Sequence, residues 1–141
     1  MEVRTSTIQD IQRQGAVTAK PAPFAPSAEA LESWPIGKKF GEQGDLYFAR
    51  LATVPAGAHP WPFAHGQLAP GTTQGSRHVV DLAQVRLWLL PQPTPLDGPI
   101  IEAPAGCVIT HPEHGDHIYP PGVYQVTFQR AYATELRRIA D

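Results

Sequence analysis

The alternation of apolar and polar residues is clearest near the end of the chain. Tyr124, Val126 and Phe128 occupy every second position, with glutamine and threonine between them. A period of two predicts a strand with one face in the core and the other toward water. We therefore expect a half-buried antiparallel strand here, entered through a turn at Pro120-Pro121-Gly122.

Further strands are predicted upstream. Residues 45–54 are apolar at both odd and even positions, as in a strand buried on both sides. Residues 77–90 form a second strand region, with a break expected near Ala83-Gln84. Residues 100–103 and 107–110 flank a Pro-Ala-Gly segment that suits a hairpin turn or a bulge. Residues 55–76 are rich in proline and glycine and predict a long loop, a feature that is often functional in a compact domain.

The N-terminal third has a different pattern. Alternating prolines in residues 20–26 predict an extended segment. Ser27 is a suitable cap for a short helix through Trp34, with Leu31 and Trp34 inward. A helical turn that carries Ile8 and Ile11 is expected before it, and Thr134 is expected to cap another at the C-terminus. We divide the chain into an arm, residues 1–43, that packs on its own body or on a neighbouring subunit, and a β domain, residues 44–141.

Composition supports this fold class. The 141 residues include 16 prolines and 12 glycines, and proline removes a backbone donor and breaks long helices. The prediction is a mainly β protein: a small antiparallel β-sandwich or barrel with an extended Pro-rich N-terminal arm and short terminal helices.

Charge excludes some functions. The net charge of −2 gives no overall attraction to nucleic acid or to anionic lipid. No segment approaches the roughly 20 apolar residues of a membrane span, and the first residues lack the apolar region of a signal peptide. The single cysteine, Cys107, lies in an apolar run and suits a buried position. We expect a cytoplasmic protein, or one within a particle assembled inside the cell, without a membrane or nucleic-acid partner.

Candidate chemistry is concentrated in a histidine loop, His111-Pro112-Glu113-His114-Gly115-Asp116-His117. Zinc is held by about four N, O or S ligands, and His111, His114 and His117 with the distant His78 could supply them. The loop's proline and glycine exclude a helical metal motif. They favour instead a structured polar turn, and proton transfer is a third interpretation.

Two further groups of residues are candidates. Arg77 could form ion pairs with Glu113 or Asp116 if the two loops meet, which would give a polar cluster. Four aromatic residues are candidate interface anchors, because rigid aromatic side chains bury area at a low entropic cost. They are Phe24 and Trp34 in the arm and Trp61 and Phe63 in the long loop. The alternative for the loop aromatics is that they pack back over the core.

Several segments resemble a group of small, uncharacterised bacterial and phage-associated proteins. The segments are residues 44–46, 75–78, 111–116, 120–126, 129–132 and 137–141. The resemblance covers about residues 44–141 and omits the arm. It implies a shared β architecture and transfers no mechanism.

Two functions follow as hypotheses. The first is a non-enzymatic structural or interaction module that packs against other protein subunits, or against further copies of itself, through the arm and the aromatic loop. It needs no cofactor. The second is a metal-binding, cupin-like small enzyme or sensor that uses the four histidines and a divalent transition metal such as zinc.

Overall fold

The computed structural model describes residues 20–70, 77–130 and 134. Within these residues, one short helix, α1 (Ala28–Glu32), precedes nine strands. These are β1 (Lys39–Gln43), β2 (Leu46–Leu51), β3 (His59–Pro60), β4 (Val79–Val80), β5 (Arg86–Leu89), β6 (Asp97–Ala103), β7 (Cys107–Thr110), β8 (His117–Tyr119) and β9 (Gly122–Phe128). Within the described residues, no helix has the length and apolar character needed to cross a membrane.

The strands form two antiparallel sheets. The large sheet has the order β1-β2-β9-β6-β5-β3, and the small sheet has the order β4-β7-β8. The predicted mainly β, antiparallel fold is confirmed. The barrel alternative is wrong for the described strands, because the large sheet stays open with β1 and β3 at its edges.

A single core joins the two sheets. Phe48 of β2 and Val126 of β9 are opposite each other in register, and both are buried. Ile109 and Val80 of the small sheet belong to the same cluster of buried side chains. Each such side chain contributes about 1.5–3 kcal/mol when it leaves water. The predicted inward face of β9 is confirmed, since Tyr124, Val126 and Phe128 are all buried.

The connections between strands decide two further predictions of the sequence analysis. The expected break in residues 77–90 is confirmed: a turn closed by the Gln84 N–H and the Asp81 carbonyl separates β4 from β5. The expected hairpin or bulge at Pro104-Ala105-Gly106 instead carries the chain from the large sheet to the small one. Gly106 has φ +87° there, and a Cβ at this position would lie 2.6 Å from the Tyr119 carbonyl oxygen.

The sequence pattern did not predict strand β1, because its sequence, Lys-Phe-Gly-Glu-Gln, has one large apolar residue and no clear alternation. It pairs with β2 at the edge of the large sheet although it lies in the segment assigned to the arm. Gly41 of this strand is covered by Phe24, whose Cε2 would be 2.9 Å from an added Cβ. Tertiary contacts therefore place this strand in the sheet, where its own pattern gives little signal.

The proline-rich segment lies along β8. The Phe24 N–H donates to the Asp116 carbonyl (2.9 Å), and the Ile118 N–H donates to the Phe24 carbonyl (2.9 Å). These bonds form a parallel bridge between Phe24 and His117. A segment in which proline alternates suits this position, because only the residues between the prolines need to donate. The part of the arm from residue 20 onward thus packs on its own body.

The helical predictions are confirmed in part. The Ser27 hydroxyl accepts from the Ala30 N–H (3.1 Å), so Ser27 caps α1, and Leu31 is buried. Trp34 lies beyond the helix and is 37% exposed, so its predicted inward position is wrong. Thr134 is itself helical, and its hydroxyl donates to the Arg130 carbonyl one turn earlier, so it does not begin the helix. The predicted turn at Ile8 and Ile11 lies outside the described residues.

Arg50 attaches the helix to the large sheet. Its Nε donates to the Leu31 carbonyl (2.9 Å), and its Nη2 donates to the carbonyls of Glu32 (3.5 Å) and Trp34 (3.3 Å). The last carbonyls of a helix have no partner within the helix, and a cation at this end also complements the helix dipole. A strand residue thus binds the carbonyl groups at the end of α1.

We expect Arg50→Lys to lower the free energy of unfolding by about 1.5–3 kcal/mol, because hydrogen bonds to a charged donor are the stronger ones and lysine lacks the planar guanidinium. Urea denaturation at neutral pH measures the loss. Arg86→Lys is the matched control, since Arg86 is an exposed arginine of β5 in the same sheet. An equal effect of the two substitutions would show that Arg50 does not hold the helix.

Candidate functional site: the histidine cluster and the aromatic loop

Three of the four candidate metal ligands lie together. The ring centroids of His78 and His111 are 4.5 Å apart, and those of His111 and His114 are 4.3 Å apart. His78 and His111 are buried, whereas His114 is half-buried. The histidine loop and the segment that carries His78 therefore meet. The three imidazole rings, tilted to their neighbours by 50° and 37°, form a row from the surface into the interior, here called the histidine stack.

Gln43, a residue that the sequence analysis missed, holds this stack in place. Its Nε2 donates to the carbonyls of Ile109 (3.0 Å) and Gly115 (2.9 Å), and its Oε1 lies 3.0 Å from His78 Nδ1. Two carbonyl acceptors fix the orientation of the amide, so the Oε1 must be the acceptor from His78. His78 consequently carries its proton on Nδ1. The sequence gives only a weak indication of this role of Gln43, namely its position directly before a Gly-Asp turn.

The turn after β1 has no space for a side chain. Gly44 has φ +56°, and an added Cβ would lie 2.7 Å from His114 Nε2 and 3.3 Å from His78 Cε1. Glycine is required both by the left-handed backbone and by the approach of the two imidazoles. The β1–β2 turn therefore covers one side of the histidine stack.

His111 shapes its own loop. Its Nδ1 accepts from the backbone N–H groups of Glu113 (3.0 Å) and His114 (3.1 Å). A neutral imidazole that accepts on Nδ1 carries its proton on Nε2. To bind a metal through Nε2, the ring would have to move this proton to Nδ1 and lose both backbone bonds. The geometry thus favours a structural role for His111.

His117 lies apart from this cluster, among the aromatic side chains of the core. Its ring centroid is 5.0 Å from that of Phe24 and 5.5 Å from that of Phe48, and the Tyr119 hydroxyl lies 2.6 Å from its Nδ1. Burial lowers the pKa of His117 to about 4, although a hydrogen bond with the Glu42 backbone and the charge of Asp116 act in the opposite direction. At neutral pH the ring is therefore uncharged.

These positions bear on the metal hypothesis. Among residues 20–70 and 77–130, no group of three histidine, cysteine or carboxylate side chains is arranged to hold a metal ion. Zinc binding by His78, His111, His114 and His117 stays a prediction, and it would require the rings of His111 and His117 to give up the hydrogen bonds just described.

The predicted polar cluster takes a different arrangement. Asp116 pairs with Lys20 of the arm, with Nζ and Oδ1 2.9 Å apart. Arg77 and Glu113 are both exposed, and no ion pair joins Arg77 to Glu113 or Asp116. Asp116, which was expected to pair with Arg77, thus lies next to Lys20 of the arm at the outer edge of the histidine loop.

The aromatic loop, residues 61–68, is rigidly held at both ends. The Trp61 N–H donates to the Leu87 carbonyl (3.0 Å), and the Leu68 N–H donates to the His78 carbonyl (2.7 Å). Within the loop, Trp61 Nε1 donates to the His65 carbonyl (2.8 Å), and the Gln67 N–H donates to His65 Nδ1 (3.2 Å). The loop is thus a defined turn, although it has little regular secondary structure.

The two aromatic side chains of this loop have different environments. Trp61 packs against the core, as the alternative interpretation expected. Phe63 is 52% exposed, with its ring edge-on to Trp61 at 5.0 Å and stacked on His65 at 5.4 Å. Of the arm residues, Phe24 is 38% exposed and Trp34 37%. Phe63 is therefore the most exposed of the four candidate interface anchors.

The sequence of the chain matches the model of a known domain family. The sequence model of a family described as a domain of unknown function, DUF8820, matches residues 42–129. The chain belongs to this family. No curated protein and no solved structure matches the chain.

The DUF8820 match includes most of the features described above. It begins at Glu42 in β1 and ends at Gln129, just after β9. Gln43, the histidine stack and the aromatic loop lie inside it, whereas Phe24 and Trp34 precede it. The expected kinship with an uncharacterised domain family is confirmed. The division of the chain at residue 43 stays a prediction.

We expect Gly44→Ala to destabilise the DUF8820 domain more than Gly37→Ala. Both glycines have positive φ, but an added Cβ at Gly37 would meet no atom within 4 Å. The left-handed backbone alone costs about 1–2 kcal/mol in either variant. Overpacking against His114 adds about 1–3 kcal/mol in Gly44→Ala. Chemical denaturation of both variants measures the difference, and equal losses would contradict the close packing of the turn on the histidines.

The stability of the domain should fall as the pH decreases from 6.5 toward 4. Because the folded-state pKa of His117 lies below its unfolded value of about 6.5, the unfolded chain binds the proton first, at a cost of up to about 3 kcal/mol near pH 4. The variant His117→Phe should show a weaker pH dependence in thermal unfolding. His59→Phe, at an exposed histidine, is the control and should retain the full dependence. An unchanged pH dependence in His117→Phe would exclude His117 as the source.

Proposed function

We propose that this DUF8820 protein is a non-enzymatic interaction module that packs into a larger protein assembly through its aromatic loop and its N-terminal arm. The observation that carries the proposal is the position of Phe63. A phenylalanine that is 52% exposed on a hydrogen-bonded loop loses little conformational freedom when a partner covers it. Aromatic anchors of this kind contribute much of the binding energy at protein interfaces.

The arm supports the same proposal. Trp34 is held by a hydrogen bond from its Nε1 to the Lys38 carbonyl (3.1 Å) and by the Lys38 ammonium, 5.1 Å from its ring. Ile36, two residues later, is 51% exposed. These side chains form a second apolar surface on a fixed segment, and its partners could be other protein subunits or further copies of this chain. A phage or bacterial particle is one setting in which such a module would serve.

The histidines are a poorer basis for a function. Gln43 and two backbone N–H groups occupy the Nδ1 atoms of His78 and His111. His117 is bound by Tyr119 inside the core. This pattern of hydrogen bonds suits a structured turn better than an ion site or a proton donor.

Photo-crosslinking tests the proposal without knowledge of the partner. p-Benzoylphenylalanine replaces Phe63 or Trp34 in the full chain, expressed at its natural level, and the matched control carries it at Glu113, an exposed residue of the histidine loop. We expect defined covalent adducts from positions 63 and 34 and none from 113. Adduct mass distinguishes a second copy from another protein. Absence of adducts at 63 and 34, or an equal yield at 113, would overturn the proposal.

Deletion of residues 1–43 would be a poor test of the arm. It would remove β1, which pairs with β2, and Gln43, which holds the histidine loop. A loss of assembly in such a variant would therefore report a loss of the fold. Single substitutions at exposed side chains avoid this ambiguity.

A further inference from the structure

A cavity of about 470 Å³ lies beside the aromatic loop. Its volume falls within the roughly 300–1,000 Å³ range of small-molecule sites. The walls are mainly apolar and include Trp61, Phe63, Leu68 and Phe128. Leu68 and Phe128 belong to the buried core, so this part of the cavity is a fixed surface.

The cavity also has an anionic side chain on its wall. Asp97, at the start of β6, lies on its wall, and no lysine or arginine is among the described lining residues. The Asp97 Oδ2 accepts from the backbone N–H and the hydroxyl of Thr94, each at 2.9 Å, and its Oδ1 accepts from Gln125 Nε2 at 3.3 Å. These bonds hold the carboxylate in a fixed position on the wall of the cavity.

The charge of Asp97 has no cationic partner among the described residues. The ion pairs found there are Lys20–Asp116 and Lys39–Glu42. Arg130 lines a neighbouring cavity that Asp97 also borders, but the two side chains form no ion pair. Asp97 is half-buried, and a carboxylate that lines a mainly apolar cavity favours a ligand that brings a positive charge and hydrogen-bond donors.

His65 adds a second polar group. Because its Nδ1 accepts from the Gln67 N–H, the neutral ring carries its proton on Nε2 and accepts no further bond through Nδ1. Its ring is parallel to that of Phe63 within 9°. The aromatic faces of Trp61 and Phe63 at this site also attract cations. The Asp97 carboxylate and the aromatic faces thus favour a cationic group, whereas the His65 Nε2–H is a donor and favours an acceptor atom on the ligand.

We propose that this cavity binds a small molecule that combines an apolar ring or chain with a protonated amine. The apolar part occupies the space between Trp61, Leu68 and Phe128, and the ammonium group pairs with Asp97. This site differs from the proposed interaction surface in its chemistry: binding here depends on the charge of Asp97, whereas the interaction surface depends on exposed apolar side chains. Phe63 borders both.

Two matched probes test the proposal on the full chain. They are 4-phenylbutylamine and 4-phenylbutyrate, which share a phenylalkyl chain and differ in charge. Isothermal titration measures their affinities, and the fluorescence of Trp61 on the cavity wall reports binding. We expect the amine to bind at least tenfold more tightly than the carboxylate. No saturable binding of the amine, or equal affinities for the two probes, would overturn the proposal.

Substitution of the carboxylate locates the site. Asp97→Asn keeps an oxygen acceptor for the Thr94 N–H and removes the charge. It should weaken amine binding about tenfold and abolish the preference between the probes, with thermal unfolding as the check on folding. Asp81→Asn is the control, because Asp81 also accepts a backbone N–H in a turn, that of Ala83, and does not line this cavity. Equal effects of the two variants would refute the role of Asp97.

The experiments can reject each of the two proposals independently. Absence of adducts at positions 63 and 34 with intact amine binding would reject the interaction surface and leave the cavity site. Adducts without amine binding would reject the small-molecule site, and the cavity would then be part of the protein interface.

Discussion

The buried amide of Gln43 is the contact on which the arrangement of the histidine loop depends. It joins β1 to the end of β7 through Ile109, to the loop through Gly115 and to the segment before β4 through His78. Each partner satisfies a polar group that would otherwise be costly to bury. Because both donors and the acceptor of one side chain are used, the position of each segment fixes the others. The two loops meet because a glutamine from a third segment binds both.

The arm extends the same arrangement toward the surface. Phe24 lies over Gly41 of β1 and packs against the tilted ring of His117 of β8. The Lys20–Asp116 pair lies at the loop's outer edge. An exposed ion pair contributes little by itself, typically below about 1 kcal/mol. The backbone bonds of Phe24 and the aromatic packing therefore hold this segment. Arg50 then attaches the following helix to the sheet, so the described part of the arm is an integral part of the domain.

The sequence predicts those parts of the fold in which a side-chain pattern and its environment agree. Tyr124, Val126 and Phe128 alternate because one face of β9 covers the core, and Ser27 caps α1 through a local bond. Strand β1 has no such pattern. Gln43 is buried because its amide forms hydrogen bonds inside the protein, whereas the polarity of glutamine predicts an exposed residue. The histidines share this problem, since their spacing does not show that His117 turns into the core while His114 faces the β1–β2 turn. Long-range pairing decides these positions.

The contrast between the two polar sites of the domain shows where binding capacity remains. The amide of Gln43 and the Nδ1 atoms of His78 and His111 form hydrogen bonds within the protein itself. Asp97 also binds its neighbours, but a carboxylate has about four acceptor positions and a charge that three neutral donors do not balance. A buried polar network that is closed gives rigidity, whereas an unbalanced charge beside an apolar cavity favours a partner of opposite sign. On this basis we infer a structural role for the histidine loop, and we propose the region around the aromatic loop as the place where an external molecule binds.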